Sequence, residues 1–193
     1  TALPSTFDDE GFHASSSTVC SFPTEAAMLQ AFCLALRKTD PDLISGYNVL
    51  NFDMKYIWDR CRVLEIPEAL AWSRLQGYQC EMKEKKSSSR AFGANVTWCF
   101  DIPGRIVLDM YQLVKKAHKL SSYKLDNVAT VFLGAQKLDV AYSEIPMLQE
   151  TAAGRQKMGV YCLKDSWLVV RLIDHLCTIP NLMEMSRVCG ITM

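Results

Sequence analysis

Two aspartates stand at positions where a carboxylate can do chemistry. Asp53 follows the short apolar stretch 42–47, and the carboxyl end of a buried strand is where α/β proteins tend to build their sites. Asp165 falls inside the apolar stripe of a helical segment, where a carboxylate is costly unless it is paired, hydrogen-bonded or bound to a metal. Both positions therefore raise the question of a polar or metal-binding site.

Each acid also has an ordinary explanation. An Asp in the first turn of a helix, as predicted for Asp53, is stabilised by the helix dipole without any further role. Asp165 fits a structural role equally well, either in an N-terminal turn of a helix or beside a basic partner. Tyr161 lies one turn earlier on the same face of the predicted helix. For a third acid, Asp109, a cap or another structural contact is favoured over catalysis. Periodicity alone does not decide between these explanations.

Local signals predict the elements that position Asp53. Helical periodicity runs from Thr24, which can cap the helix, to Asp40. The stretch 42–47 is short and apolar, as expected of a buried strand. A second helix is predicted over 52–64, so the order helix, strand, loop, helix brings Asp53 back to a strand end.

The rest of the chain reads as strands followed by helices. Residues 1–22 show no period and are predicted to be an irregular lead-in, and 75–92 are polar and predicted to be a long connection. Alternating patterns around the turn signal Pro103-Gly104 predict a hairpin formed by 95–102 and 104–114. Helical segments are predicted near 107–118, 125–133, 156–177 and 181–188.

The helical segment 156–177 carries Asp165 on the side predicted to face the core. At 100° per residue, one arc of about 100° holds the apolar stripe, and charged residues lie outside it. The stripe consists of Tyr161, Asp165, Leu168, Val169, Leu172 and Leu176. The charged residues outside it are Lys157, Lys164, Arg171 and Asp174.

Composition indicates a folded protein inside the cell. A chain of 193 residues that is 49% hydrophobic suits one domain, or one domain of a longer protein. No apolar run approaches the ~20 residues that a membrane helix needs, and the start lacks the pattern of a signal peptide. The eight cysteines show no CxxC pair, so most are predicted to be reduced core residues, and the sequon Asn95-Val96-Thr97 is predicted to be unused.

Charge balance argues against a global attraction to polyanions. Lys+Arg and Asp+Glu each number 21, so any nucleic acid must be bound locally. The basic stretches 84–90 and 115–119 are interpreted as a solvated loop and a helix end rather than as phosphate contacts.

The two acids lie in segments that resemble a known family. DPDLISGYNVLNFDMKYI (40–57) resembles the second exonuclease motif of family B DNA polymerases, and YCLKDSWLVVRL (161–172) resembles the third. The stretch 104–140 is similar to the intervening region of delta-type replicative polymerases and of polymerases of large DNA viruses. LMEMSRVCGITM (182–193) is similar to the link towards the polymerase domain. The resemblance runs from about Ser21 to Met193.

The resemblance implies roles for individual residues. Asp53 would help to hold a second metal, in part through water, and Asp165 would ligate the first. Tyr161 would orient the attacking water. Asn48 and Phe52 would border the frayed primer end, and Gly46 would let backbone and DNA approach closely.

The same resemblance implies a fold, a reaction and partners. The fold would be ribonuclease-H-like, an α/β architecture with a mixed sheet flanked by helices. The reaction would be proofreading by a DNA-directed DNA polymerase in replication, with two Mg²⁺ ions, or Mn²⁺ instead, about 4 Å apart. Implied partners are the single-stranded 3′ primer end of DNA, the polymerase domain and replication accessory subunits. The location would be the nucleus or a viral replication site, without a membrane partner.

One departure from the family pattern concerns its first motif, an Asp-x-Glu on the opening strand. Asp8-Asp9-Glu10 fits the letters but is rejected, because it lies too close to Asp53 and no apolar strand precedes it. The opening strands are therefore expected upstream of Thr1, and 178–193 is expected to lead on to the polymerase domain. These residues alone are expected to carry half a metal site and negligible activity.

Three other interpretations are compatible with the sequence. The chain could be a free-standing exonuclease of the same fold, which the link-like tail disfavours. It could be a degenerate nuclease module with a structural or partner-binding role, although Asp53, Tyr161 and Asp165 are all present. It could also be a general α/β binding domain without metal chemistry.

Overall fold

The computed structural model of the chain describes residues 19–89, 93–134 and 142–192. The described residues form two compact units, one over Ser21–Lys116 and one from Ala117 onwards. Asp8-Asp9-Glu10 and most of the predicted irregular lead-in lie outside the described residues. Within the described ranges, no helix has the length and apolarity needed to cross a membrane.

The first unit opens with helix α1, Glu25–Thr39. The Thr24 hydroxyl accepts a 3.2 Å hydrogen bond from the Ala27 amide, which satisfies one of the free N–H groups at the helix start. Asp40 ends the helix in the left-handed conformation, with φ 44°. The predicted helix and its cap are therefore confirmed.

Strand β1, Leu43–Gly46, and helix α2, Asp53–Val63, follow as predicted, although β1 is half-buried and not buried. Both elements come from short-range signals: a compact apolar run for the strand, and an amphipathic stripe for the helix. Met54 and Cys61 face inwards from α2. The loop 47–52 joins the two elements and delivers Asp53 to the first position of α2.

The predicted long connection 75–92 is wrong over its second half. Strand β2, Met82–Ser89, pairs antiparallel with strand β3, Gly93–Phe100. The sequence of β2, MKEKKSSS, carries almost no apolar alternation, and Lys83, Glu84 and Lys85 are exposed. The hydrophobic pattern therefore gives no signal for a strand that is held by its backbone pairing.

The predicted hairpin around Pro103-Gly104 is also wrong. The turn itself is present, because Gly104 has φ 84°, but strand β4, Ile106–Asp109, pairs in parallel with β1. Helix α3, Met110–Ala117, begins at the next residue, so the predicted helix 107–118 started inside a strand. The described residues thus hold two separate two-stranded sheets instead of one mixed sheet, while the α/β class is confirmed.

The core of the first unit centres on Trp72. Its indole N–H donates to the Ala69 carbonyl at 2.7 Å, and its ring makes edge contacts with Phe32 and Phe100 at 5.4 and 5.2 Å between centroids. Three cysteines are buried, whereas four others are exposed, so the prediction that most cysteines are core residues is wrong. The buried cysteines are Cys33, Cys61 and Cys80, and burial raises the pKa of each thiol.

The second unit is built on one long helix. Its helices are α4 (Leu125–Leu133), α5 (Ile145–Glu150), α6 (Ala152–His175) and α7 (Thr178–Cys189). The long helix α6 packs against the other three. Predictions near 125–133, 156–177 and 181–188 are confirmed, and α5, a short helix with Pro146 near its start, was missed. Gly154 permits the close approach of α5 and α6, since a Cβ there would lie 2.1 Å from the Leu148 carbonyl oxygen.

The buried face of α6 is wider than predicted, because it includes Lys164. The position of this lysine on the helix predicts that it lies outside the apolar face, yet only 5% of Lys164 is exposed. Because α4, α5 and α7 all contact α6, the buried arc is wider than one packing partner would require. Leu168, Val169 and Leu172 are buried as the stripe predicts.

Candidate functional site

Gly46 ends β1 and allows the following loop to fold back on the strand. A Cβ at Gly46 would lie 2.7 Å from the Val49 Cβ, closer than two such carbon atoms can approach. Asn48 then takes the left-handed conformation, with φ 60°, which Asn tolerates better than most residues. The glycine is therefore needed by the loop itself, which is a separate reason from the expected approach of DNA.

Backbone hydrogen bonds connect this loop to the start of α2. The Phe52 amide donates to the Asn48 carbonyl at 3.1 Å, and the Met54 amide donates to the Val49 carbonyl at 2.8 Å. The Asn51 side-chain amide donates to the Asn48 Oδ1 at 3.1 Å. The Phe52 side chain is exposed, with a relative accessibility of 67%. The loop thus offers an aromatic ring to the surface from a fixed backbone.

Asp53 occupies the first turn of α2, as its ordinary explanation requires. Its pKa is nevertheless raised above the usual value, chiefly because the surrounding protein displaces water, with the negative charge of Asp109 adding to the effect. The residue itself is exposed to solvent. A nearby cation would favour the ionised form of such a carboxyl.

Asp109 ends β4 directly opposite Gly46 in the parallel pair. Only 5% of the residue is exposed. Its Oδ1 accepts from the backbone N–H of Asn48 at 2.8 Å and of Tyr111 at 3.1 Å, and its Oδ2 accepts from that of Leu50 at 3.3 Å. Burial raises its pKa, and these hydrogen bonds oppose the shift. The expectation of a structural contact is confirmed.

An aromatic pair with a nearby lysine lies at the same strand ends. The rings of Tyr47 and Tyr111 meet edge to face at 5.8 Å, and the Lys115 ammonium lies 5.6 Å from the Tyr111 ring centroid. Burial, followed by the neighbouring Tyr111 and Asp109, raises the pKa of Tyr47 well above its usual value. Lys115 and Lys116 are exposed at the end of α3, as predicted for a helix end.

Tyr161 and Asp165 lie one turn apart on α6 in the second unit. Both residues are half-buried, and the Oδ1 atom of Asp165 is shielded from solvent. Because α6 begins at Ala152, Asp165 lies far from the N-terminal turn, so a role in that turn is wrong, while a structural role beside a basic partner stays open. The helical spacing places the tyrosine and the aspartate on one face.

The predicted site residues therefore fall into two groups. Gly46, Asn48, Phe52 and Asp53 share one loop and helix start in the first unit, and Tyr161 and Asp165 share one helix in the second. Convergence of Asp53 and Asp165 on a cation stays a prediction. Among the residues that the structure describes, no three His, Cys, Asp or Glu side chains gather as a metal-binding group.

Comparisons with known proteins identify the family of the chain. The family described as DNA polymerase family B, exonuclease domain, matches residues 5–128, more than half of the chain. The DNA polymerase delta catalytic subunit of Caenorhabditis elegans is 39% identical over 178 residues, which cover 92% of this chain and 16% of the relative. That of Schizosaccharomyces pombe is 41% identical over 174 residues, covering 90% of this chain and 16% of the relative.

A mammalian relative gives the same result. The DNA polymerase delta catalytic subunit of Bos taurus is 38% identical over 174 residues, covering 90% of this chain and 16% of the relative. The chain thus spans about 16% of the length of these relatives. Family B exonuclease domains generally depend on divalent metal ions. From the family match and the motif-bearing loop and helix, the chain belongs to the exonuclease domains of the family B DNA polymerases.

Proposed function

We propose that these residues form part of the proofreading domain of a replicative DNA-directed DNA polymerase, which removes nucleotides from the 3′ end of a primer. The observation that supports this best is the β1–α2 loop. It presents Phe52 and Asp53 from a hydrogen-bonded backbone at the carboxyl end of a parallel strand pair. Strand ends of this kind are where α/β proteins build their sites.

We further propose that Asp53 and Asp165 provide oxygen ligands for two divalent cations, Mg²⁺ or alternatively Mn²⁺. Carboxylate oxygens are the hard ligands that these ions prefer, whereas thiols are not. The raised pKa of Asp53 fits this role, because a carboxyl near Asp109 gains from a neighbouring positive charge. When bound, a pair of such ions activates water and stabilises the leaving oxygen of a phosphodiester.

The remaining residues would handle the water and the DNA. Tyr161, on the same face of α6 as Asp165, would hold its hydroxyl towards the attacking water. Phe52 would stack against the terminal base, for which its 67% accessibility leaves room. Asn48 and Gly46 would shape the wall beside the primer end. Stacking and backbone contacts give little sequence preference.

The proposal extends to the wider architecture. The fold of the complete domain would be ribonuclease-H-like, and residues 178–193 would lead towards the polymerase domain of the same protein. Partners would be that polymerase domain, the single-stranded primer end and replication accessory subunits. Replication in the nucleus or at a viral replication site would be the setting.

The test uses the full-length polymerase that carries these residues. Asp53→Ala and Asp165→Ala should each lower Mg²⁺-dependent 3′ to 5′ degradation of single-stranded DNA by about 100-fold or more, because metal binding contributes several kcal/mol to such reactions. Asp174→Ala is the matched control, since Asp174 lies exposed on α6. Primer extension should be unchanged in all three variants. Undiminished degradation in both site variants would refute the metal role of the two aspartates, whereas a wild-type enzyme without degradation would favour a nuclease-like module with a structural or partner-binding role.

A further inference from the structure

The buried carboxylate of Asp109 is used neither by the proposed metal chemistry nor by contacts with DNA. We propose that Asp109 is a positioning residue, whose two oxygens fix the β1–α2 loop and thereby place Phe52 and Asp53. This inference rests on the proposed function. With 5% of the residue exposed, Asp109 acts through the backbone and not by touching substrate.

Three backbone N–H groups from two segments meet at this one side chain. Asn48 and Leu50 donate from the loop at 2.8 and 3.3 Å, and Tyr111 donates from the start of α3 at 3.1 Å. A neutral side chain could accept fewer of these bonds, and each would be weaker than a bond to a carboxylate. Asp109 therefore connects the loop that follows β1 to the end of the neighbouring strand β4.

The loop residues held by Asp109 are in turn bonded to the start of α2. The Asn48 carbonyl accepts from the Phe52 amide at 3.1 Å, and Val49, which lies between the two anchored residues, accepts from Met54 at 2.8 Å. A shift of Asn48 would consequently move the backbone on both sides of Asp53. Since displacements of about 1 Å can cost an active site 100-fold in rate, this coupling matters for the reaction.

The local geometry also explains why the loop needs an external anchor. β1 ends at Gly46, so the strand ladder does not extend to Asn48, whose left-handed backbone turns away from the pair. Buried N–H groups require an acceptor, and the ladder supplies none at these positions. The carboxylate substitutes for the missing strand neighbour.

The experiment compares Asp109→Ala and Asp109→Asn in the full-length polymerase with Ser45→Ala. Ser45 donates to the Leu108 carbonyl at 2.9 Å, so its loss perturbs the same strand pair without touching the loop. Hydrogen–deuterium exchange of peptides covering 46–54 reports on the loop directly. Steady-state degradation of single-stranded DNA gives kcat and KM, and primer extension reports on the integrity of the protein.

Asp109→Ala should accelerate exchange in 46–54 by at least about 10-fold and lower the exonuclease kcat by about 10- to 100-fold, the range typical for residues that orient ligands. Asp109→Asn, which keeps one acceptor oxygen, should give smaller changes in both. KM, primer extension and the Ser45→Ala enzyme should stay near wild type. A purely structural role would not single out kcat.

Two results would overturn the positioning role: unchanged exchange in 46–54, or faster exchange with an undiminished kcat. If Asp109→Ala accelerates exchange over the whole range 19–116, the Asp109→Asn variant provides the decisive measurement. Faster exchange in that variant that is again not confined to 46–54 refutes the inference. A wild-type enzyme without exonuclease activity would instead refute the proposed function, and the exchange data would still report whether the carboxylate anchors the loop.

Discussion

The Asp109 carboxylate accepts a 2.8 Å hydrogen bond from the Asn48 amide across a sequence separation of 61 residues. This contact exists because β4 pairs in parallel with β1 and sets Asp109 opposite Gly46. The loop that carries Asn48, Phe52 and Asp53 is therefore not a self-sufficient motif. Its shape depends on a strand that follows much later in the chain.

Removal of the exposed ring of Phe52 should weaken DNA binding without weakening the fold. Phe52→Ala in the full-length polymerase should raise KM for single-stranded DNA by about 5- to 150-fold, because base stacking contributes about 1–3 kcal/mol. The Tm should not fall, since the side chain has 67% accessibility. Val63→Ala, an equally exposed position on α2, serves as the control. An unaltered KM in Phe52→Ala would exclude stacking by this ring.

A methyl group at Gly46 should destabilise the loop by steric overlap. Gly46→Ala would place its Cβ 2.7 Å from the Val49 Cβ, and overpacking of this kind costs about 1–3 kcal/mol. Urea unfolding should show this loss. In a Val49→Ala background the overlap shrinks to the Cβ alone, so the added cost of Gly46→Ala should be smaller. Equal costs in the two backgrounds would mean that the loop relaxes by another route.

The elements that local signals specify were predictable, and those that depend on distant pairing were not. Thr24 and Asp40 mark the ends of α1 in the sequence, and the apolar run before Gly46 marks β1. By contrast, β2 carries lysines and serines without alternation, and only its pairing with β3 makes it a strand.

The candidate site, too, was predictable only where contiguous segments form it. The loop and helix that carry the predicted residues were found from sequence, because each is a contiguous segment. The role of Asp109 was predicted only as a structural contact, since a hairpin of β4 with the preceding strand was expected in place of its parallel pairing with β1. An acid at the end of an apolar run was the available sequence signal, and only the structure shows its register with Gly46.

The ion pairs of Asp40 predict a pH-dependent contribution to stability. Hydrogen bonds from Arg74 and Arg105, at 2.9 and 2.8 Å, lower the pKa of Asp40 below its ordinary value. The folded state therefore favours the ionised form, so this stabilisation is present above the ordinary Asp pKa and disappears as the pH falls through the lowered value. Asp40→Asn should lower the Tm at pH 7 more than at pH 3. Asp59→Asn, whose partner Lys55 forms a simple surface pair, should change the Tm less.

If Asp53 and Asp165 hold the same pair of cations, their losses should not multiply. Residues that act as one unit are strongly non-additive, so removal of either should already abolish most of the metal-dependent rate. We expect Asp53→Asn and Asp165→Asn each to lower kcat for degradation of single-stranded DNA by about 100-fold or more, and the double variant to match the slower single variant.

The matched control for this cycle is Asp53→Asn combined with Asp174→Asn, because Asp174 is exposed on the same helix as Asp165. That combination should equal Asp53→Asn alone. A second measurement, Mn²⁺ binding followed by electron paramagnetic resonance, should show weaker binding in each single site variant. Losses that multiply in the Asp53–Asp165 pair, with Mn²⁺ binding intact, would mean that the two aspartates serve separate sites, and a shared cation pocket would then be refuted.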